Sequence, residues 1–453
     1  MMKPLANIPK STLIYTVMVF ILAGYALVRV LNLSEAVKRV KTTADTTSYL
    51  RIAKEPIFDS SFLAAARPFV FPLFLKLFGS DPEKVVWAQG LFSTLSWSVL
   101  AVAVAYSLHV FPLRFAGLVL ILFLSLYRYI VGWDSVLLTE SLSLSLMALF
   151  TAGWLWLLRG WHWQKALFVL ITGFFWTFCR DTNAWVVLMI AVFFSILVVL
   201  RLIDKRYLLL SAAFLVMFFL SDRSADLGGR WVFPFQNVLG RRILPDVQAV
   251  TFFAGCGMPV SSELAKLAGE FASGLDRAFY NDPALEMYRT WLHQTGKTCY
   301  IKWLLSDPLE SIQRPIAEFN TLVRLENIQS FLFSRRFSPI LPARLEAILY
   351  PPQQPWIVFL AACAILFAAV FVRAWAYNKT WWIAILLLLL VFPHYFIVWH
   401  GDVMGIYRHV VSVSIQFYLG LWILAFLIVD WVLSLKVIQE NRMGQLLLRG
   451  ESR

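Results

Sequence analysis

Charge is scarce in this chain: Asp, Glu, Lys and Arg make up 15% of its 453 residues, against about a quarter in an ordinary soluble domain. That scarcity excludes a water-soluble globular protein, whose surface needs far more charge. There is no GxxxxGK[ST] phosphate loop and no strand-associated GxGxxG, so no nucleotide site is evident. There is no tandem repeat and no low-complexity segment. The first apolar run is too long for a cleaved leader and lacks a small-residue cleavage site, so it is read as a span. Cysteine is rare, at 4 residues. Cys363 lies in an apolar run and Cys179 at a helix end. Cys256 and Cys299 share a polar region and can pair in an oxidising compartment, which the sequence leaves open.

What is abundant is apolar: 60% of the chain is hydrophobic and 16% aromatic, with a mean hydropathy of +0.70. A chain of this kind needs lipid as the solvent for much of its surface, and its backbone groups must then be satisfied inside helices. The expected class is an all-α polytopic membrane protein with about ten transmembrane helices. The runs are 12–30, 85–108, 113–131, 136–158, 166–179, 184–202, 207–220, 356–372, 381–399 and 410–433, the fifth and seventh being short for a span of about 20 residues. The net charge of +13 is read as cations on the cytoplasmic rims rather than as a nucleic-acid footprint. No nucleic-acid partner is expected.

The positive-inside rule places both termini in the cytoplasm. Lys3, Lys10, Arg114, Arg159, Lys165, Arg201, Lys205, Arg206, Arg373, Lys379, Lys436, Arg442 and Arg449 fall on one side, while the short loops opposite carry Arg128, Arg180 and Arg408. The first loop, with Lys38, Arg39, Lys41, Arg51 and Lys54, runs against the trend. The organisation read from this is a transmembrane core over 1–220 with a first outer loop at 34–83, an outer helical insertion at 221–355, C-terminal spans over 356–435 and a basic tail at 436–453. Within the insertion the apolar spacing predicts helices over 262–279, 284–305 and 312–333.

An ionisable residue at or in a span is expensive unless paired or wet, so it is a functional candidate. Asp45, Arg67, Asp134, Glu140, Arg180, Asp181, Asp402, Arg408 and His409 all fall at the outer face. Asp45 sits in Thr42-Thr43-Ala44-Asp45-Thr46-Thr47-Ser48-Tyr49. It can act as a general base or bind hydroxyls; taken alone, a helix N-cap is the commoner role. Arg67-Pro68 with Pro72 predicts a short interfacial helix, where Arg67 holds an anion or snorkels to headgroups. Glu140 falls about a turn and a half inside its run, at 1.5 Å per residue, so its charge needs a partner. Arg180 and Asp181 either end a helix or face Glu140 or a phosphate. Arg408 heads the last span, where a planar guanidinium suits bidentate phosphate binding. His400, Asp402 and His409 match no metal-ligand spacing, and no metal or cofactor is expected.

These motifs, in this order, resemble the C-type membrane glycosyltransferase superfamily, whose members include protein mannosyltransferases and lipid A aminoarabinose transferases. The features are Asp45 with Tyr49 in the first outer loop, Arg67-Pro68 and Pro72, Thr139-Glu140-Ser141, Arg180, and Tyr407-Arg408-His409. The resemblance implies inverting transfer of a sugar from a polyprenyl-phosphate donor to a glycan, lipid or protein acceptor, outside a bacterial inner (plasma) membrane. Asp45 would be the base; Arg67, Arg180 and Arg408 would hold the lipid phosphate. Glu140 and Asp134 would position hydroxyls, and Tyr49, Asp181 and His409 would belong to the binding site. The first loop carries a single acid, without a second beside it, and Arg-Pro-Phe where some branches have His-Pro-Pro. The sugar and acceptor therefore stay open. A lipid or solute transporter, and a polysaccharide polymerase or ligase, are the alternatives; Pro393 and His394 inside the ninth run favour the transporter.

Overall fold

The computed structural model describes residues 10–324, 340–351 and 353–450, with side chains described between 15 and 435. Lys3 and the later part of the 312–333 helix lie outside those residues, as do the side chains of the basic tail. The chain is an all-α polytopic membrane protein. Its principal helices are α1 (Lys10–Ala36), α2 (Ala44–Ile52), α3 (Val70–Leu77), α4 (Pro82–Ser107), α5 (Phe111–Ser125), α6 (Thr139–Leu158), α7 (Trp163–Thr177), α8 (Asp181–Val199), α9 (Tyr207–Leu227), α10 (Pro308–Leu322), α11 (Pro355–Phe371), α12 (Trp381–Leu389), α13 (Val391–Gly401) and α14 (Ile406–Gly450).

Each of the ten apolar runs is helical, but ten full spans are not present among the described residues. Among the described residues seven helices are long and apolar enough to cross a membrane, and an eighth span exists if α5 and the segment Arg128–Ser135 count as one, bent by 53°. The fifth and eighth runs give helices of only 15 and 17 residues, at 1.5 Å per residue short of a bilayer core about 30 Å thick. The seventh run is longer than its apolar stretch suggests, because polar Ser221–Leu227 continues the helix to 21 residues.

α6 is the axis of the bundle: nearly all of it is buried, including Trp154 stacked on Phe194 with ring centroids 3.9 Å apart. Glu140, Ser141, Ser143 and Ser145 along it would be costly against lipid, and α4, α7 and α14 pack around it. The ninth run breaks at Leu390, between α12 and α13. Pro393 has no N–H to return to the carbonyl four residues earlier, so the ladder fails there.

The insertion between α9 and α10 has its own core around Phe235, Leu239, Phe253, Tyr288 and Trp291. The structure joins Cys256 and Cys299 there in a disulfide, with Cα atoms 6.1 Å apart. Residues 284–305 are helical throughout except for a wider turn at Leu292–Gly296. The continuous helix expected over 262–279 is not formed: Ser262–Ala265 is one short α-helix and Ala278–Asn281 another. Gly269 at φ +87° and the left-handed run Leu275-Asp276-Arg277 end the periodicity that the apolar spacing suggested.

Candidate functional site

The first loop is pinned before it carries any chemistry. Lys41 donates its N–H to the Ser135 carbonyl at 2.9 Å and accepts from Leu137 N–H at 3.0 Å. The chain at 136–138 is therefore extended, and α6 begins at Thr139. Glu140 accordingly lies in the first turn of its helix, not a turn and a half inside. It is buried all the same, with its side chain 3% exposed.

Asp45 is not the cap of α2. Thr43 is, in a capping box with Thr46, and the Thr46 hydroxyl donates onward to the Leu137 carbonyl at 2.9 Å. Capping by Thr43 satisfies the orphan N–H groups and leaves the Asp45 carboxylate for other partners. Arg67 Nη2 donates to one oxygen at 2.5 Å and Arg408 Nη1 to the other at 2.7 Å. Arg67 is oriented by its Nε bond to the Ser48 hydroxyl at 3.1 Å and by the Tyr49 ring, whose centroid is 5.5 Å from the guanidinium carbon. Tyr49 in turn is fixed edge-on against Phe71 of α3.

Glu140 continues the cluster. Its Oε1 lies 3.3 Å from both Arg180 Nη1 and Arg408 Nε, and its Oε2 is buried with no hydrogen-bond partner among the described residues. Arg180 stands immediately before α8, with extended φ and ψ, so it points off the helix end toward α6. Its Nη2 donates to His409 Nδ1 at 2.7 Å. A guanidinium has no lone pair to offer, so Nδ1 is the acceptor and the neutral His409 ring carries its proton on Nε2. That nitrogen faces Asp402 Oδ2 at 3.9 Å. Asp402 is held by Asn237 Nδ2 at 3.0 Å and Met404 N–H at 2.8 Å.

Three guanidiniums thus meet Asp45 and Glu140, leaving one positive charge in excess before Asp402 is counted. Burial works to raise the Asp45 carboxyl, but Arg67 and Arg408 outweigh it and hold it below the ordinary carboxylate range. Asp402 goes the other way: burial pushes its carboxyl up to about 6 against its hydrogen bonds and Arg408. Burial likewise pushes the Tyr49 phenol up to about 12. Two nearby acids with opposed shifts give the cluster one permanent carboxylate and one that titrates near neutrality.

Two candidates fall outside this cluster. Asp134 pairs with Arg29 of α1 at 2.7 Å and accepts from the Ser141 hydroxyl at 2.6 Å, in a fully buried knot. It ties α1 to α6 instead of facing a ligand. Asp181 accepts two bonds from Arg230 Nε, at 3.1 and 3.0 Å, and Arg230 also reaches the Ala65 carbonyl at 3.2 Å. That latch joins α8, the start of the insertion and the first loop two residues from Arg67. Gly228 fits beneath it only because it has no side chain: a Cβ there would lie 2.2 Å from the Ala65 oxygen. Sequence reasoning passed over Arg29, a lone charge inside an apolar run, and Asn237, which nothing in the insertion marks. His400 is occupied structurally, its ring between the Tyr300 hydroxyl at 3.2 Å and the Ser311 carbonyl at 3.0 Å.

No family model matches this chain, and no curated protein matches it significantly.

Proposed function

We propose that this protein transfers a sugar from a polyprenyl-phosphate-linked donor to an acceptor hydroxyl, with inversion, at the extracytoplasmic face of a bacterial inner membrane. The observation that carries the proposal is the convergence of Arg67, Arg180 and Arg408 on Asp45 and Glu140, from the first loop, α6, α8 and α14. A donor phosphodiester has one negative charge and leaves as a phosphomonoester with two. Guanidiniums at that point favour the transition state over the ground state, so no separate acid is needed for departure.

In this reading the acceptor oxygen forms its bond to the anomeric carbon as the bond from that carbon to the phosphate oxygen breaks. The electron pair leaves with the polyprenyl phosphate, and the hydroxyl proton goes to Asp45. Arg67 and Arg408 each have two anions to serve, Asp45 and the donor phosphate. As they turn toward the phosphate, Asp45 is relieved of their field and becomes a stronger base. Glu140, with Oε2 unpartnered among the described residues, accepts a donor or acceptor hydroxyl. The disulfide of Cys256 and Cys299 supports the outer placement, since such bonds persist in oxidising compartments.

A second reading rests on Asp402. Its carboxyl titrates at about 6, a better match to a proton acceptor near neutral pH, and it lies across His409 from the arginines. The transporter reading keeps one observation, the break at Leu390 beside buried His394, but the charged cluster lies at one membrane face rather than at mid-depth. The test is release of polyprenyl phosphate by purified protein from a panel of polyprenyl-phosphate sugars with candidate acceptors. No release by folded, lipid-binding protein shifts the reading to a transporter or polymerase.

A further inference from the structure

The far end of the bundle holds a second pocket. α6 runs from Glu140 at the candidate site to Leu158, about 27 Å away at 1.5 Å per residue. Beyond Leu158 the turns between α4 and α5, α6 and α7, α8 and α9, and α11 and α12 form a half-open cleft of about 390 Å³. Arg159, Arg206, Lys379 and His109 line it, with Trp161 and Tyr377 among its aromatic walls and Asp204 as its acid.

Cations at this face are expected of any membrane protein with this orientation. Arg159 and His109 differ in being held in place, with Lys379 an exposed cation beside them. Arg159 lies over the Tyr106 ring, 4.4 Å from its centroid, and donates to the Tyr106 carbonyl, a neutral acceptor that leaves its charge uncancelled. Lys379 enters no ion pair among the described residues. Arg206 is the exception, since Asp204 takes its Nε at 3.0 Å and its Nη2 at 2.9 Å. His109 is locked from behind: Asp430, fully buried in α14, accepts from His109 N–H at 2.8 Å and Val110 N–H at 2.7 Å, and its second oxygen lies 3.0 Å from His109 Nδ1. That leaves Nε2 as the ring nitrogen available to the cavity.

We infer that this cavity binds a phosphate ester, with Arg159 and Lys379 as its principal cations and His109 Nε2 as a further polar contact. The inference is independent of the function proposed for the opposite face. A guanidinium, an ammonium and a ring nitrogen around a half-open cleft of headgroup size suit a tetrahedral oxyanion. Basic pockets between helix ends at the membrane surface are where phospholipid headgroups are held. The phosphate belongs either to a lipid of that leaflet or to a soluble phosphate ester.

The experiment is native mass spectrometry of the full chain in detergent, titrated with dioctanoyl phosphatidylglycerol, dioctanoyl phosphatidylcholine and glycerol 3-phosphate. The expected result is retention of phosphatidylglycerol over phosphatidylcholine. Arg159→Ala and Lys379→Ala should each weaken it about fivefold, the factor that one interfacial cation contributes. Lys205→Ala and Arg201→Ala, cations of the same face that do not line the cavity, should leave it unchanged. If either pocket variant loses its native elution, Arg159→Gln and Lys379→Met replace them. Glycerol 3-phosphate binding with the same residue dependence would identify a soluble ester as the ligand. Equal weakening in pocket and control variants, or no preference for the anionic lipid, would overturn the site.

Discussion

Arg408, at the head of the last span, holds Asp45 of the first loop in a 2.7 Å ion pair, although 363 residues separate them in sequence. The same guanidinium reaches Glu140 through Nε at 3.3 Å. One planar fork therefore serves two carboxylates on different elements. Lysine keeps the charge but has a single point of attachment. Arg408→Lys should express and fold like the parent and lose about tenfold or more in donor turnover, about 1.4 kcal/mol or more of transition-state stabilisation. Steady-state release of polyprenyl phosphate checks it; parental turnover would remove Arg408 from the mechanism.

The opposed shifts of Asp45 and Asp402 separate the two candidate bases by pH. Asp45 is held below the ordinary carboxylate range, so its charge is constant from pH 5 to 8 and its action gives a flat profile across that interval. A rate that falls below pH about 6, with the inflection lost in Asp402→Asn, would assign the proton to Asp402. Stability should follow the same group. Its folded value lies above its ordinary 3.8, so its contribution is fully present below that value and is lost as pH rises through about 6. Thermal melting of Asp402→Asn against parent between pH 4 and 8 measures it, the difference growing with pH in favour of the variant.

Asp134 is a structural residue in this account. Asp134→Asn leaves the Arg29 charge buried with a neutral partner, a change of about 3–5 kcal/mol. The melting temperature in detergent should fall while the donor KM of the folded fraction stays at the parental value. Arg29→Met with Asp134→Leu, which removes both charges, should recover most of the loss. A raised KM without a melting change would return Asp134 to the binding site.

Arg230 tests the latch on the first loop. Arg230→Ala releases Asp181 and the Ala65 carbonyl, which loosens the segment leading to Arg67 without touching the cluster itself. Hydrogen exchange at residues 60–68 should rise, and donor KM should rise with it, as Arg67 is less well placed. Unchanged exchange there would mean that Phe62, fully buried in its own small cluster, suffices to hold the loop.

Much of this architecture is legible in the sequence, and the exceptions have physical causes. Apolar runs locate every long helix, because lipid imposes one requirement on composition. Their status as spans depends on length, and 15 residues at 163–177 or 17 at 355–371 cannot be told from longer helices when polar ends blur the boundaries. The set Asp45, Arg67, Glu140, Arg180, Arg408 and His409 was visible as charges sharing one face, and the structure brings these side chains together. Asp134 and Asp181 shared that face equally well, and only their partners distinguish them. Arg29 and Arg230 come from a span and an insertion whose contacts sequence spacing does not encode. Asn237 contacts Asp402 across 165 residues, with no local pattern to announce it.

The most direct test of the proposed function is polyprenyl phosphate release by purified protein and by Asp45→Asn, side by side, over a panel of polyprenyl-phosphate sugars and acceptors. Asn keeps the shape and removes the charge that Arg67 and Arg408 hold. The account predicts release by the parent with one donor class, and a loss of at least about a hundredfold in the variant at equal expression and melting behaviour. Parental release in Asp45→Asn would contradict it.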